Sequence, residues 1–331
     1  MSSKVLRRVG IAGTGSYVPE KVLSNADLAK MVETSDEWIQ KRTGIRERRI
    51  ISEGMKTSDM CIEAAKRALE AARVDPKDLD LILVGTVSGD CIFPATACLI
   101  AHKLGATKAG GYDLSGACTG FLMALSTGAQ YVATGLYDRV LVIGAESLSR
   151  IIDYKDRNSC ILFGDGAGAA VLTSLDYAGK GEILHSSLGM DGSQFEMIWI
   201  PGGGTRTPTT YQTVEDKLQF MRIRGREVYQ FAVRKMVELV QKELARYPGE
   251  EVGLVIPHQV NLRIIESAIE RLGIPMEKVI VNIHKYGNTS AASIPVALDE
   301  TIRAGKMPKG KLVVFVAFGA GLAWGSALVR W

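Results

Sequence analysis

One order of segments occurs twice in this chain, and that repetition constrains the fold more than any single motif. In the first half LDLILVG leads to a helix-period segment ending HKLGA, then SGACTGFLMAL, then GLYDRVLVIGAE. In the second half EVGLVIPH leads to a segment ending ERLGI, then YGNTSAASIPVAL, then GKLVVFVAFGAG. Strand, helix, small-residue turn, helix and strand recur in one order. Apolar β-branched runs alternating with helical periodicity specify an α/β fold whose sheets carry helices on both faces. A duplicated unit places a cleft between its copies, and such clefts are favoured ligand sites. The boundary falls near residue 175, giving halves 1–175 and 176–331. The chain of 331 residues also exceeds the ~250–300 at which single cores stop growing.

Strands are expected at Val9–Gly13, Leu79–Val84, Val140–Gly144, Ala169–Leu172, Gly253–Ile256, Val279–Asn282 and Leu312–Phe318. Helices are expected at Thr57–Ala72, Gly120–Thr134, Val228–Tyr247 and Asn261–Leu272. The Gly-, Thr- and Pro-rich region Ser186–Thr213 reads as a long surface excursion. Leu312–Val329 carries no charge and is long enough to raise a membrane span. Its glycines 319, 321 and 325 divide it into two buried strands around a turn instead. Met1–Gly15 has no apolar run of signal-peptide length. The five cysteines show no metal-ligand spacing, so reduced thiols in the cytoplasm and no metal site are expected. A net charge of +4 without a basic stripe argues against nucleic acid, while suiting anionic partners.

Cys118 lies in Asp113–Gly120, between small residues that allow a tight strand-to-helix turn and close approach of a substrate. A thiol at a helix N-terminus meets unpaired N–H groups and the positive end of the helix dipole, and both favour the attacking thiolate. Cys61, Cys98 and Cys160 read as inert buried thiols. His258 follows an apolar strand, where α/β sheets place ligands, although a strand-end histidine serves as often to bind backbone. Asn288 lies in the second-half turn equivalent to that of Cys118, although Asn beside Gly is also a common turn residue. If the halves face each other, thiol, imidazole and amide converge.

Seven segments together resemble the β-ketoacyl-[acyl carrier protein] synthase III family across nearly the whole chain. They are TSDEWIQKRTGIRERR (34–49), FPATAC (93–98), DLSGACTGF (113–121), DRNSCILFGDGAGAAVL (156–172), IPHQVNLRI (256–264), YGNTSAAS (286–293) and FGAGLAWGSALVRW (318–331). The resemblance implies a five-layer αβαβα thiolase-like fold, a homodimer and a catalytic triad of Cys118, His258 and Asn288. It implies that acyl-CoA, a substrate rather than a cofactor, acylates Cys118. Malonyl-[acyl carrier protein] would then lose CO2 and condense with the acyl group to initiate fatty-acid synthesis. By the same resemblance the backbone N–H groups of Cys118 and Ala320 form an oxyanion hole. Thr34, Trp38, Arg42 and Arg157 bind CoA, with the adenine between Trp38 and Arg157. Phe93 reaches the partner subunit's acyl pocket, and Gln259 and Arg263 contact the carrier protein. No cofactor, metal, nucleic acid or membrane is implied. Two departures stand out: Ser115-Gly116-Ala117 replaces a run of alanines, and Ala320 stands where some members have glycine. A synthase-III-like acyltransferase of secondary metabolism, transferring without decarboxylation, is the nearest rival. A protein that only binds acyl carriers is another. A nucleotide-binding oxidoreductase is the remote one, because GIAGTGSYVP and FGDGAGAA lack the spacing of a dinucleotide loop.

Overall fold

Uncharged β-branched runs supply most of the strands, and helices of amphipathic period cover them. The computed structural model describes residues 6–331. Its main elements are β1 (Val9–Tyr17), α1 (Asp36–Thr43), α2 (Thr57–Ala72), β2 (Leu81–Gly85), α3 (Thr96–Leu104), β3 (Gly110–Leu114), α4 (Gly120–Thr134), β4 (Val140–Ser147), β5 (Asp165–Ser174), β6 (Glu182–Met190), α5 (Gly225–Leu244), β7 (Val252–Pro257), α6 (Leu262–Leu272), α7 (Ser293–Arg303), β8 (Leu312–Gly319) and β9 (Ala323–Arg330).

The strands hydrogen-bond in the order β7-β8-β9-β6-β1-β5-β4-β2-β3. Two arrays make up this sheet, β1-β5-β4-β2-β3 and β6-β9-β8-β7, and they join through the single pair Gly10 and Glu182. In the first, β4, β2 and β3 run parallel and β5 runs antiparallel to its neighbours β4 and β1; in the second, β7 and β8 run parallel and β9 runs antiparallel to its neighbours β8 and β6. Helices α4 and α7 fill the space between the arrays. Phe121 and Leu125 from α4 and Ile294 and Leu298 from α7 meet Val142 and Leu172 on one side, Ile256 and Phe315 on the other. Burying each such side chain stabilises the fold by about 1.5–3 kcal/mol. Helices α2 and α3 cover the outer face of the first array, and α5 and α6 that of the second. The layers are therefore helix, sheet, helix, sheet, helix, as the resemblance implied.

Some expectations need correction. Val279–Asn282 is not a strand; Val279 makes one isolated bridge to Val255. The next backbone donors, Asn282 N and Ile283 N, are taken by the Gln259 carboxamide oxygen at 2.9 and 3.1 Å, so no ladder can continue. Residues 186–190 are not surface excursion but the end of β6, paired to β9. The uncharged stretch 312–329 forms the β8–β9 hairpin, and no described helix is long and apolar enough to cross a membrane. The glycine-rich segments of the oxidoreductase reading are the antiparallel pair β1 and β5. Their glycines admit helices: a Cβ at Gly13 would overlap the α2 backbone, and one at Gly168 would come 2.6 Å from Pro295.

Gly144 on β4 has the strictest demand. A Cβ there would overlap the carbonyl oxygen of Ala291 and lie 2.9 Å from the Phe121 Cβ. Gly144→Ala is expected to cost about 1–3 kcal/mol by overpacking. A lowered thermal midpoint checks this, and an unchanged midpoint would mean that the two halves separate freely at this point.

Candidate active site

Two short 3-10 turns, Ala117–Thr119 and Ser290–Ala292, lead directly into α4 and α7. Each begins with a non-glycine residue in the left-handed region, Ala117 at φ 43° and Ser290 at φ 48°. Such a conformation costs of order 1–2 kcal/mol. It persists because the turns pack on each other and on the glycine floor of Gly85 and Gly144. The β8–β9 turn closes the third side: a Cβ at Gly319 would lie 2.8 Å from the Cys118 Cβ and 3.1 Å from its Sγ. Backbone of the Gly319-Ala320 segment therefore lies directly against the thiol.

Cys118, His258, Asn288, Ser290 and Ala320 all line one cavity of about 380 Å3, whose remaining wall is largely apolar. His258 follows β7 and is fully buried. Its backbone N–H donates to Val316 O at 2.8 Å, and its Nδ1 lies 2.7 Å from Ser293 Oγ. Ser293 Oγ has no other partner among the described residues, so both groups are satisfied when the hydroxyl donates to Nδ1. The ring proton then sits on Nε2, a buried atom without a protein partner. Burial holds the imidazole pKa down to about 3, so the ring is neutral. Asn288 is anchored through its backbone to Leu162 O and Gly164 N. Its Oδ1 accepts from Ser290 N at 2.8 Å, which leaves the amide NH2 as the free donor.

The thiol departs from expectation. Burial in this apolar pocket pushes Cys118 up to about 12; the Ser290 hydroxyl lowers it and the Glu146 charge raises it further. The turn does sit at a helix start, and desolvation is the largest of the influences on the thiol, ahead of the Ser290 and backbone hydrogen bonds that lower it. Glu146, at the end of β4, is a fully buried carboxyl that sequence reasoning passed over.

The cavity opens into an outer groove of about 790 Å3 with which it shares Leu162, Ile223, Gly225, Tyr229 and Asn261. Trp38, Arg42, Arg157, Arg226 and Arg263 line this groove. The guanidinium centres of Arg42 and Arg157 lie 5.2 and 5.0 Å from the Trp38 ring centre, so a ring sandwiched between Trp38 and Arg157 requires Arg157 to swing aside. Thr34 Oγ1 is buried without a partner, and Thr34 does not line the groove. Phe93 does not line its own chain's cavity and is 84% exposed. Arg263 is exposed at the start of α6, which Asn261 caps by accepting Arg263 N at 2.9 Å. Gln259 must be corrected. Its side chain is 1% exposed and donates to Pro257 O and Ile280 O while accepting from Asn282 N and Ile283 N. It is an internal strut that no carrier protein can touch.

Comparison with known proteins accords with this geometry. The profile of 3-Oxoacyl-[acyl-carrier-protein (ACP)] synthase III matches residues 112–192, and that of its C-terminal region matches residues 243–331. Proteins named β-ketoacyl-[acyl-carrier-protein] synthase III are 52% identical in Desulfitobacterium hafniense, over 98% of both chains, and 49% identical in Xylella fastidiosa, over 100% of both. The crystal structure of the 3-oxoacyl-[acyl-carrier-protein] synthase III of Aquifex aeolicus superposes with a TM-score of 0.90 at 45% identity, covering 98% of this chain and 100% of that one. This chain belongs to the β-ketoacyl-[acyl-carrier-protein] synthase III family and is an initiating, acyl-transferring condensing enzyme of fatty-acid synthesis.

Proposed function

We propose that Cys118 accepts an acyl group from acyl-CoA and that His258 and Asn288 then drive decarboxylation of malonyl-[acyl carrier protein]. The observation that carries this reading is the convergence of a thiol, an imidazole with a free Nε2–H and an amide with a free NH2 on one apolar cavity. The nucleotide end of CoA rests in the outer groove. Trp38 offers a stacking face, Arg42 and Arg157 offer charge, and Thr34 supports that wall. The pantetheine arm then reaches Cys118 through the apolar passage. Attack of sulfur on the thioester carbonyl gives a tetrahedral oxyanion that the backbone N–H groups of Cys118 and Ala320 stabilise. Collapse expels CoA and leaves acyl-cysteine.

Malonyl-[acyl carrier protein] follows, with Arg263 at the groove rim pairing to acidic groups of the carrier. The malonyl thioester oxygen accepts from His258 Nε2 and Asn288 Nδ2. These neutral donors stabilise the enolate as CO2 leaves, and preorganised donors of this kind supply about 3–4 kcal/mol each. An apolar cavity also favours loss of a charged carboxylate as neutral CO2. The enolate carbon attacks acyl-cysteine and yields 3-ketoacyl-[acyl carrier protein]. Neither half-reaction calls for a cofactor, because both act on thioesters.

Further parts of the reading rest on single features. The exposed Phe93 loop would enter the acyl pocket of a second copy in a homodimer. A cytoplasmic setting suits five unpaired cysteines. Halves 1–175 and 176–331 suit the matching strand orders of the two arrays and their paired turns. Steady-state rates at varied acyl-CoA and malonyl-[acyl carrier protein] test the covalent scheme. Parallel double-reciprocal lines are expected for a ping-pong reaction, and converging lines would contradict an acyl-enzyme.

A further inference from the structure

We propose that Glu146, acting through the Ser290 hydroxyl, takes up the Cys118 thiol proton during acyl loading and returns it when acyl-cysteine is broken. The inference rests on Cys118 being the nucleophile. A thiol that burial raises is almost wholly protonated at neutral pH, so attack needs a base close by. His258 is a poor one. Its free nitrogen carries the ring proton, and its basicity is suppressed by burial.

Glu146 has what the histidine lacks. It stands fully buried at the end of β4, with no cation paired to it among the described residues. Four groups donate to its carboxylate oxygens: Ser88 Oγ at 2.5 Å, Val87 N at 3.2 and 3.3 Å, Thr86 Oγ1 at 3.4 Å and Ser290 Oγ at 3.3 Å. These donors favour the anion, and one of them, Ser290 Oγ, lies on the side of the Cys118 cavity. Burial nonetheless raises it to about 7, which suits a base working near neutrality. Ser290 Oγ is the link: it donates to Glu146 Oε1 at 3.3 Å, lines the same cavity as Cys118, and its hydroxyl acts on the Cys118 thiol. Its left-handed backbone, φ 48°, fixes it between the two.

Charge balance favours this route over ionisation of the thiol alone. Glu146 is the charge that opposes the thiolate. When the proton moves, the negative charge passes from carboxylate to sulfur instead of being added beside it. In loading, the S–H bond breaks as sulfur bonds to the acyl carbon. The thiol proton passes to Ser290 Oγ while the serine proton passes to Glu146 Oε1. CoA departs as thiolate and is protonated by water in the outer groove. In condensation the enolate carbon bonds to the acyl carbon, the C–S bond breaks, and the proton returns from Glu146 through Ser290 to sulfur.

The test is the single-turnover rate of acyl loading, followed by intact mass after rapid quenching, with the adduct mapped to its residue. Glu146→Gln keeps the shape and loses the base, and loading at pH 7 is expected to fall about 10²-fold. Ser290→Ala should fall similarly while keeping the backbone bond to Asn288, and it carries the test if Glu146→Gln does not fold. In the unmodified enzyme the carboxyl must be ionised, so loading rises with pH through about 7 and then levels. The thiols of Cys118 and Cys61 both feel the Glu146 charge, one at about 12 and the other pushed well above its usual range by burial. Neither can supply an inflection near 7. In Glu146→Gln that inflection should vanish and the deficit should shrink steadily as hydroxide replaces the base. Loading within 3-fold of the unmodified rate at pH 7, or a deficit equal at every pH, would overturn the relay and leave Cys118 as nucleophile. An adduct mapped to another residue would overturn both.

Discussion

A His258→Ala chain will load Cys118 from acyl-CoA and then stall, with CO2 release from malonyl-[acyl carrier protein] slowed by about 10²–10³-fold. Asn288→Ala will behave alike. The division follows from where the donors stand. The loading oxyanion forms at the acyl carbon and is served by backbone N–H groups of Cys118 and Ala320, which neither substitution removes. The enolate oxygen forms on the second substrate and has only His258 Nε2 and Asn288 Nδ2 for donors. His258→Ala leaves the strand-end bond to Val316 O intact, so the fold keeps its register and the loss is chemical. Rapid-quench mass for loading and trapped labelled CO2 for decarboxylation separate the two half-reactions. Equal losses in both would contradict the assignment.

Gly319→Ala will instead damage both half-reactions together. Its added Cβ lies 2.8 Å from the Cys118 Cβ and 3.1 Å from the sulfur, so the thiol or the Gly319-Ala320 segment must move by several tenths of an ångström. Either shift misaligns nucleophile and oxyanion hole, and displacements on that scale cost on the order of 10²-fold in rate. Loading and condensation measured as above should fall in parallel. A loss confined to condensation would place the oxyanion hole elsewhere.

Much of this architecture was legible in the residues. Helices Thr57–Ala72 and Gly120–Thr134 begin and end where the periodicity predicts, and the expected Asn261–Leu272 segment forms α6, with Asn261 as its cap rather than its first residue. The repeated segment order anticipated two turns in contact, and with them Cys118 and Asn288 on one cavity. What escaped was decided by tertiary contact. β3 opens with Gly110 and Gly111, poor strand formers; Gly111 is needed because a Cβ would meet Ala97 of α3 and Ile82 O at 3.0 Å. β6 is polar and half-buried along its length, so it reads as loop until β9 pairs with it. Val279–Asn282 has strand composition but loses the Asn282 N–H and the Ile280 carbonyl to Gln259, a side chain whose burial no local pattern reveals. The helix start at Cys118 was legible and the desolvation that raises its thiol was not, because the cavity wall comes from segments far away in sequence, such as Phe163, Trp199 and Phe318. A lone glutamate ending an apolar strand gave no sign of the four donors that gather on Glu146.

The most direct test of the central claim is a chase of isolated acyl-enzyme. Enzyme carrying a labelled acyl group from acyl-CoA, freed of CoA, is mixed with malonyl-[acyl carrier protein] and followed by intact mass and product label. The account predicts an adduct on Cys118 that disappears at the rate at which labelled 3-ketoacyl-[acyl carrier protein] and CO2 form. An adduct that malonyl-[acyl carrier protein] cannot discharge, or label that never resides on Cys118, would contradict it.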